Sequence, residues 1–108
     1  MSAAFTIHCL GWTSASLLLE EVRASAFKLG LIKQSEAVTD VLDALSRHAL
    51  VLSKCGNGLG CARLTPDGRI ERIAVMPHPY QSQMVATMIE LLNAEQQQNK
   101  TASHSTAS

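Results

Sequence analysis

Between Ala49 and Met76 three strand-like runs are separated by two tight turns, and this stretch limits the possible folds more than any other. Ala49 to Ser53 is a nearly continuous apolar run, Cys55-Gly56-Asn57-Gly58 is a turn, and Leu59 to Thr65 is a second run. Asn-Gly between two such runs is a strong hairpin signal, because both residues tolerate positive φ. Pro66-Asp67-Gly68 makes the next turn, with proline suited to its first central position, and Arg69 to Met76 follows as a third run. Two consecutive hairpins predict a three-strand antiparallel meander. Gly56, Gly58 and Gly60 have the composition of a phosphate loop. They lie between strands and not before a helix, however, so the helix dipole such a loop needs is missing.

The flanks carry other periods. Phe5 to Leu10 alternates as a short strand, Phe5, Ile7 and Cys9 against Thr6 and His8. After Gly11, Thr13 or Ser14 is placed to cap a helix in which Leu19, Val22, Ala26 and Leu29 form one stripe, with Glu20, Glu21, Arg23 and Lys28 off it. Gly30 suits the position after the helix end. Residues 31–38 read as a loop. Thr39 then caps a second helix with Asp40 in its first turn, and Val41, Leu42 and Leu45 supply its buried side. Pro77 and Pro79 end the third strand of the meander. A last helix starts near Gln81 or Ser82, with Val85, Met88, Ile89 and Leu92 at helical spacing. The expected class is α+β, ordered β-α-α-β-β-β-α. One domain spans 1–97, followed by a polar 98–108 tail expected to be disordered.

Composition narrows the function. With 108 residues, nine Lys+Arg against nine Asp+Glu and no basic cluster, nothing favours nucleic-acid binding. No apolar run reaches the ~18–20 residues of a membrane span. Charged residues are 17% of the chain, below the ~25% of an ordinary soluble domain, so some surface is apolar. Cys9, Cys55 and Cys61 have neither disulfide-framework nor metal-ligand spacing, although Cys55 and Cys61 flank one hairpin turn. No metal is expected. The N-terminus lacks the basic start of a signal peptide, and the expected compartment is cytoplasmic.

Several residues then fall in a particular order: Val22-Arg23-Ala24-Ser25-Ala26-Phe27, Asp40-x-x-Asp43, and His48 at the second strand. Gly60-Cys61-Ala62-Arg63-Leu64 follows, then the Pro66-Asp67-Gly68 turn and Arg69-Ile70-Glu71-Arg72-Ile73-Ala74-Val75. This series resembles the front half of a GNAT-superfamily N-acyltransferase over roughly residues 12–94. The resemblance implies acetyl-CoA as co-substrate, an amine as acceptor, and direct acyl transfer between them. It implies that Ile73, Ala74 and Val75, on a splayed fourth strand, pair with the pantetheine amides. The next loop, Gln81-Ser82-Gln83-Met84-Val85-Ala86, is then the pyrophosphate site at a helix N-terminus.

That loop departs from the resemblance. Met84 stands where a glycine is expected, and no Arg or Lys accompanies it. A gap-free register, Tyr80 to Val85, retains none of the expected residues. The strand, helix and hairpin that complete such a domain do not follow in this chain. Two residues are candidate catalytic bases. Glu71 is either a general base or a solvent-facing partner of Arg69 or Arg63, and His48 is either a base or a satisfied structural residue. Tyr80 either contacts the cofactor or covers the helix start. Two functions therefore stand side by side. One is an N-acyltransferase. The other is a non-catalytic module whose open fourth-strand edge takes a protein partner or a second copy as a homodimer.

Overall fold

Strand β1 (Phe5–Gly11) runs straight into helix α1 (Trp12–Lys28), and two short helices, α2 (Gln34–Ala37) and α3 (Val41–Leu45), lead to the meander β2 (Arg47–Ser53), β3 (Gly58–Leu64) and β4 (Ile70–Val75). Helix α4 (Gln81–Ala107) closes the order. The computed structural model describes residues 5–107, with side chains over 5–98. One four-stranded antiparallel sheet has the order β1-β2-β3-β4. The chain is therefore α+β, with β1 and β4 as edge strands.

The sheet is covered on both faces. Ala49, Val51, Ala62, Leu64 and Val75 pack with Met84, Met88 and Leu92 of α4. Leu50, Cys61 and Ala74 pack with Leu19, Val22 and Ala26 of α1. Burial on both faces explains the unbroken apolar run of β2, since only a one-sided strand needs strict alternation.

Helix α1 starts at Trp12, before the expected caps. Gly11 is its N-cap without a side-chain bond, and the helix breaks at Ala15 (φ −151°, ψ 29°), beside Ser14. Its end is as expected. The Gly30 N–H donates to Phe27 O (3.0 Å) and the Leu31 N–H to Ala26 O (2.9 Å), the paired bonds of a Schellman ending. Arg23 belongs to the buried stripe with Leu19, Val22 and Ala26 instead of lying off it.

The segment expected as a loop holds α2, whose Glu36 carboxylate accepts from the Lys33 N–H (3.0 Å). The cap of α3 is Asp40, not Thr39. Asp40 accepts from Leu42 N (3.0 Å) and Asp43 N (3.3 Å), and Asp43 accepts in return from Asp40 N (3.1 Å), forming a capping box. The Thr39 hydroxyl donates instead to Glu20 (2.9 Å). The expected apolar side of α3 faces outward, with Val41 82% and Leu45 67% exposed while Asp43 is fully buried.

At the first hairpin the positive φ falls on Gly56 (84°), not on Asn57 or Gly58. Ser53 O accepts from Gly56 N (3.0 Å), and Asn57 O accepts from Ser53 N (2.9 Å). Gly58 serves the packing of the layers. A Cβ there would lie 2.5 Å from Val22 Cγ2, so its bareness lets α1 settle on the sheet. The second turn closes as expected, with Gly68 N donating to Thr65 O (2.9 Å).

In α4 the deepest stripe is Met84, Met88 and Leu92, all fully buried, with Val85 and Ile89 half-buried beside it. Helical backbone extends to Ala107, across most of the segment where disorder is expected; the side chains of 99–108 lie outside those described.

Candidate functional site

The site begins with a β-bulge. Cys61 pairs with Ala74 and Arg63 with Glu71, so Ala62 alone spans Arg72 and Ile73, and Arg72 takes φ 54°. An extra residue in one strand lets consecutive side chains reach toward the same region. Glu71 thereby meets Arg63, while Arg72 reaches Asp40 (2.9 Å) and the Ser35 carbonyl (3.1 Å) and bonds the Val38 carbonyl.

These contacts complete a buried charge cluster. Arg23 holds Asp43 bidentately at 2.8 and 2.9 Å, a geometry suited to the planar guanidinium. Arg63 reaches Asp40 (2.7 Å) and Asp43 (3.1 Å) as well as Glu71. Arg23, Arg63 and Arg72 thus face Asp40, Asp43 and Glu71, three charges against three. Burial alone would raise the Asp43 pKa, but the Arg23 hydrogen bonds, the Asp40 N–H and the Arg63 guanidinium outweigh it and hold the carboxyl at about 2. The cluster ties α1, the start of α3, β3 and β4 to one another.

His48 lies against this cluster, fully buried. Its Nε2 is 2.8 Å from the Asp43 carbonyl oxygen, which can only accept, so Nε2 carries the proton. The Trp12 ring lies 5.3 Å from the imidazole centroid and 5.3 Å from the Arg23 guanidinium carbon, a cation–π distance. Burial pushes the His48 pKa below its ordinary value. The ring is shielded from solvent and held through Nε2, while its Nδ1 is buried without a hydrogen-bond partner.

Glu71 is engaged on both sides, by Arg63 on one oxygen and by Arg69 on the other (3.3 Å). The structure therefore places both candidate bases against the same charge cluster, Glu71 bound to Arg63 and Arg69 and His48 held through Nε2 by the Asp43 carbonyl. Cys61 is buried, its thiol pushed by desolvation up to about 11, and Cys55 is exposed; both are free. Among the described residues no group of three His, Cys, Asp or Glu is arranged to hold a metal ion, and no helix is long and apolar enough to cross a membrane.

The residues expected at a cofactor lie at the other end of β4. Ala74 and Val75 are buried and Ile73 half-buried, their side chains in the two cores. Gln81 Nε2 donates to the Val75 carbonyl (3.2 Å), clasping the strand end to the first turn of α4. Gln81, Ser82, Gln83 and Ala86 are exposed. Met84 does not crowd this turn, because its side chain is wholly within the α4 core. Tyr80 is 49% exposed and sits in an aromatic group, 5.7 Å from His78 and 6.2 Å from Phe5.

From the sequence, Arg63 is a candidate partner of Glu71 and Asp40 a first-turn residue, but the joining of Arg23, Arg63 and Arg72 to Asp40 and Asp43 in one cluster is not anticipated. The available signals were Arg23 at the fourth position after Leu19 in the buried stripe, and the Asp40-x-x-Asp43 capping spacing. Neither protein-family models, curated proteins nor solved structures yield a match to this chain.

Proposed function

We propose that the chain is a GNAT-like acyl-CoA-binding domain of the N-acyltransferase class, with acetyl-CoA as donor and an amine as acceptor. The observation that carries this reading is the junction of β4 and α4. An unpaired strand edge ends at Val75, and the Gln81 side chain joins that end directly to an exposed helix N-terminus. A strand edge offers amide pairing to an extended pantetheine arm. The Gln81 N–H donates to the His78 carbonyl (3.1 Å), and the N–H groups of Ser82 and Gln83 behind it are the ones suited to the pyrophosphate.

In the reaction the amine nitrogen attacks the thioester carbonyl, the C–N bond forms and the C–S bond breaks. The amine gives up a proton and the departing thiolate takes one. His48 is sealed from that exchange. Glu71, a quarter exposed (27%) and held by two arginines, is the remaining carboxylate on β4, so binding is the stronger part of this reading and turnover is slow. The module alternative, with a protein strand added at β4, is less favoured because the bulge at Arg72 interrupts a regular pairing edge.

The test is the melting temperature in millimolar acetyl-CoA. Selective binding to the folded state raises it. Ser82→Glu places a negative charge in the exposed first turn, where the helix dipole accommodates it, so the unliganded variant keeps its stability while the acetyl-CoA shift shrinks. No shift in the unmodified protein overturns the reading.

A further inference from the structure

The second sheet edge points to another interaction. β1 is paired with β2 through seven uninterrupted positions, Phe5↔Ser53 to Gly11↔Arg47. No other described segment pairs with its outer side. Edge strands are ordinarily protected by charged side chains, proline or a bulge. β4 has such protection in Glu71, Arg72 and the bulge. The sequence of β1, Phe-Thr-Ile-His-Cys-Leu-Gly, contains no Lys, Arg, Asp, Glu or proline, and its register has no bulge. Phe5, Ile7 and Cys9 are only half-buried where they rim the α4-side core, so that core stays open toward the β1 edge.

We infer that β1 pairs with β1 of a second copy of this chain, antiparallel about a two-fold axis at His8, to form a continuous eight-stranded sheet. The strand is self-complementary in that register. His8, its midpoint, faces His8 of the partner subunit; Ile7 opposes the partner's Cys9, and Thr6 opposes the partner's Leu10. Alternation keeps each pair on one face. The Ile7–Cys9 pairs extend the α4-side apolar layer across the junction and cover the rim left open in the single copy. An uncharged edge suits a copy of itself better than a charged partner strand. Two-fold pairing also uses up both β1 edges and closes the assembly. The β4 edge lies across the sheet from β1, although Phe5 at the end of β1 is 6.2 Å from Tyr80 beside the α4 start. Oligomeric mass and the acetyl-CoA shift are separate readouts, so the failure of one proposal is distinguishable from the failure of the other.

The experiment is light scattering at about 100 µM, where a dimer has twice the 11.6 kDa chain mass. His8→Lys places like charges directly opposite each other at the axis, which destabilises a strand pair, and the mass halves. His8→Cys provides the converse test. Directly opposed antiparallel residues have Cα atoms ~4.5–5.5 Å apart, within the ~4.4–6.8 Å range of a disulfide. Mild oxidation therefore gives a covalent dimer beyond the background set by Cys9 and Cys55 in the unmodified protein. A monomeric unmodified protein overturns the proposal. So does a dimer that H8K leaves intact and H8C does not cross-link, because the contact then lies elsewhere. If circular dichroism shows that H8K fails to fold, the H8C result alone decides.

Discussion

Asp43 joins several elements of the fold. It closes the capping box of α3 by accepting from the Asp40 N–H, accepts two bonds from Arg23 and one from Arg63, and offers its backbone carbonyl to His48. Asp43→Asn leaves two buried guanidiniums short of charge, and removing one partner from a buried pair costs about 3–5 kcal/mol. Urea unfolding should show that loss, while Val41→Ser on the exposed side of α3 stays within about 0.5 kcal/mol of the unmodified protein. The pH dependence follows from the same residues. The Asp43 pKa is lowered from 3.8 to about 2, so its contribution is present above pH 3.8 and is lost as pH falls toward 2. The His48 value is lowered from 6.5, so protons favour the unfolded chain as pH drops below 6.5. Unfolding midpoints should therefore decline in two stages on acidification, and His48→Gln should remove the first stage alone. Met84 supplies a third prediction. Met84→Gly opens the α4 core and weakens the helix, costing about 3–5 kcal/mol. A more stable Met84→Gly variant would show that the side chain lies outside the core.

At the scale of elements, two contacts decide how the layers meet. Gly58 allows α1 to approach the hairpin through Val22. Gly58→Ala should cost about 1–3 kcal/mol by overpacking, and Gly58→Ala combined with Val22→Ala should cost less than the two changes added. A double-mutant cycle measures that coupling; additive costs would separate the two residues. The meander, the Schellman ending of α1 and the start of α4 were readable from sequence because local chemistry sets them, through turn residues and apolar period. The orientation of α3 was not. Its Val41, Leu42 and Leu45 suggest a buried face, yet the long-range attraction of Arg23 and Arg63 for Asp43 turns the helix the other way. The bulge at Arg72 was hidden for the same reason. No local signal marks a non-glycine residue at positive φ, and its partners Asp40 and Ser35 lie over thirty positions away. For the candidate site, sequence located the strand end and the helix start but missed the clasp by Gln81. It named Glu71 together with its partners Arg63 and Arg69, but His48 without the Asp43 carbonyl that holds it.

For the whole molecule, α1, α2 and α3 lie on one face of a four-stranded sheet and α4 on the other, and among the described residues no further strand pairs with either sheet edge. The edges differ in kind. β1 is regular and uncharged, whereas β4 is bulged, charged at its start and joined at its end to a helix N-terminus. The charge cluster ties α1, α3, β3 and β4 together, and the β4–α4 junction is where we propose that an acyl-CoA lies, along the strand with its phosphates at the helix. Hydrogen exchange on the folded protein, with and without saturating acetyl-CoA, tests that claim most directly. The account predicts slower exchange confined to amides within residues 73–75 and at 82 and 83, with the β2 amides unchanged. Unaltered exchange at both segments, or protection that appears only elsewhere, would contradict it.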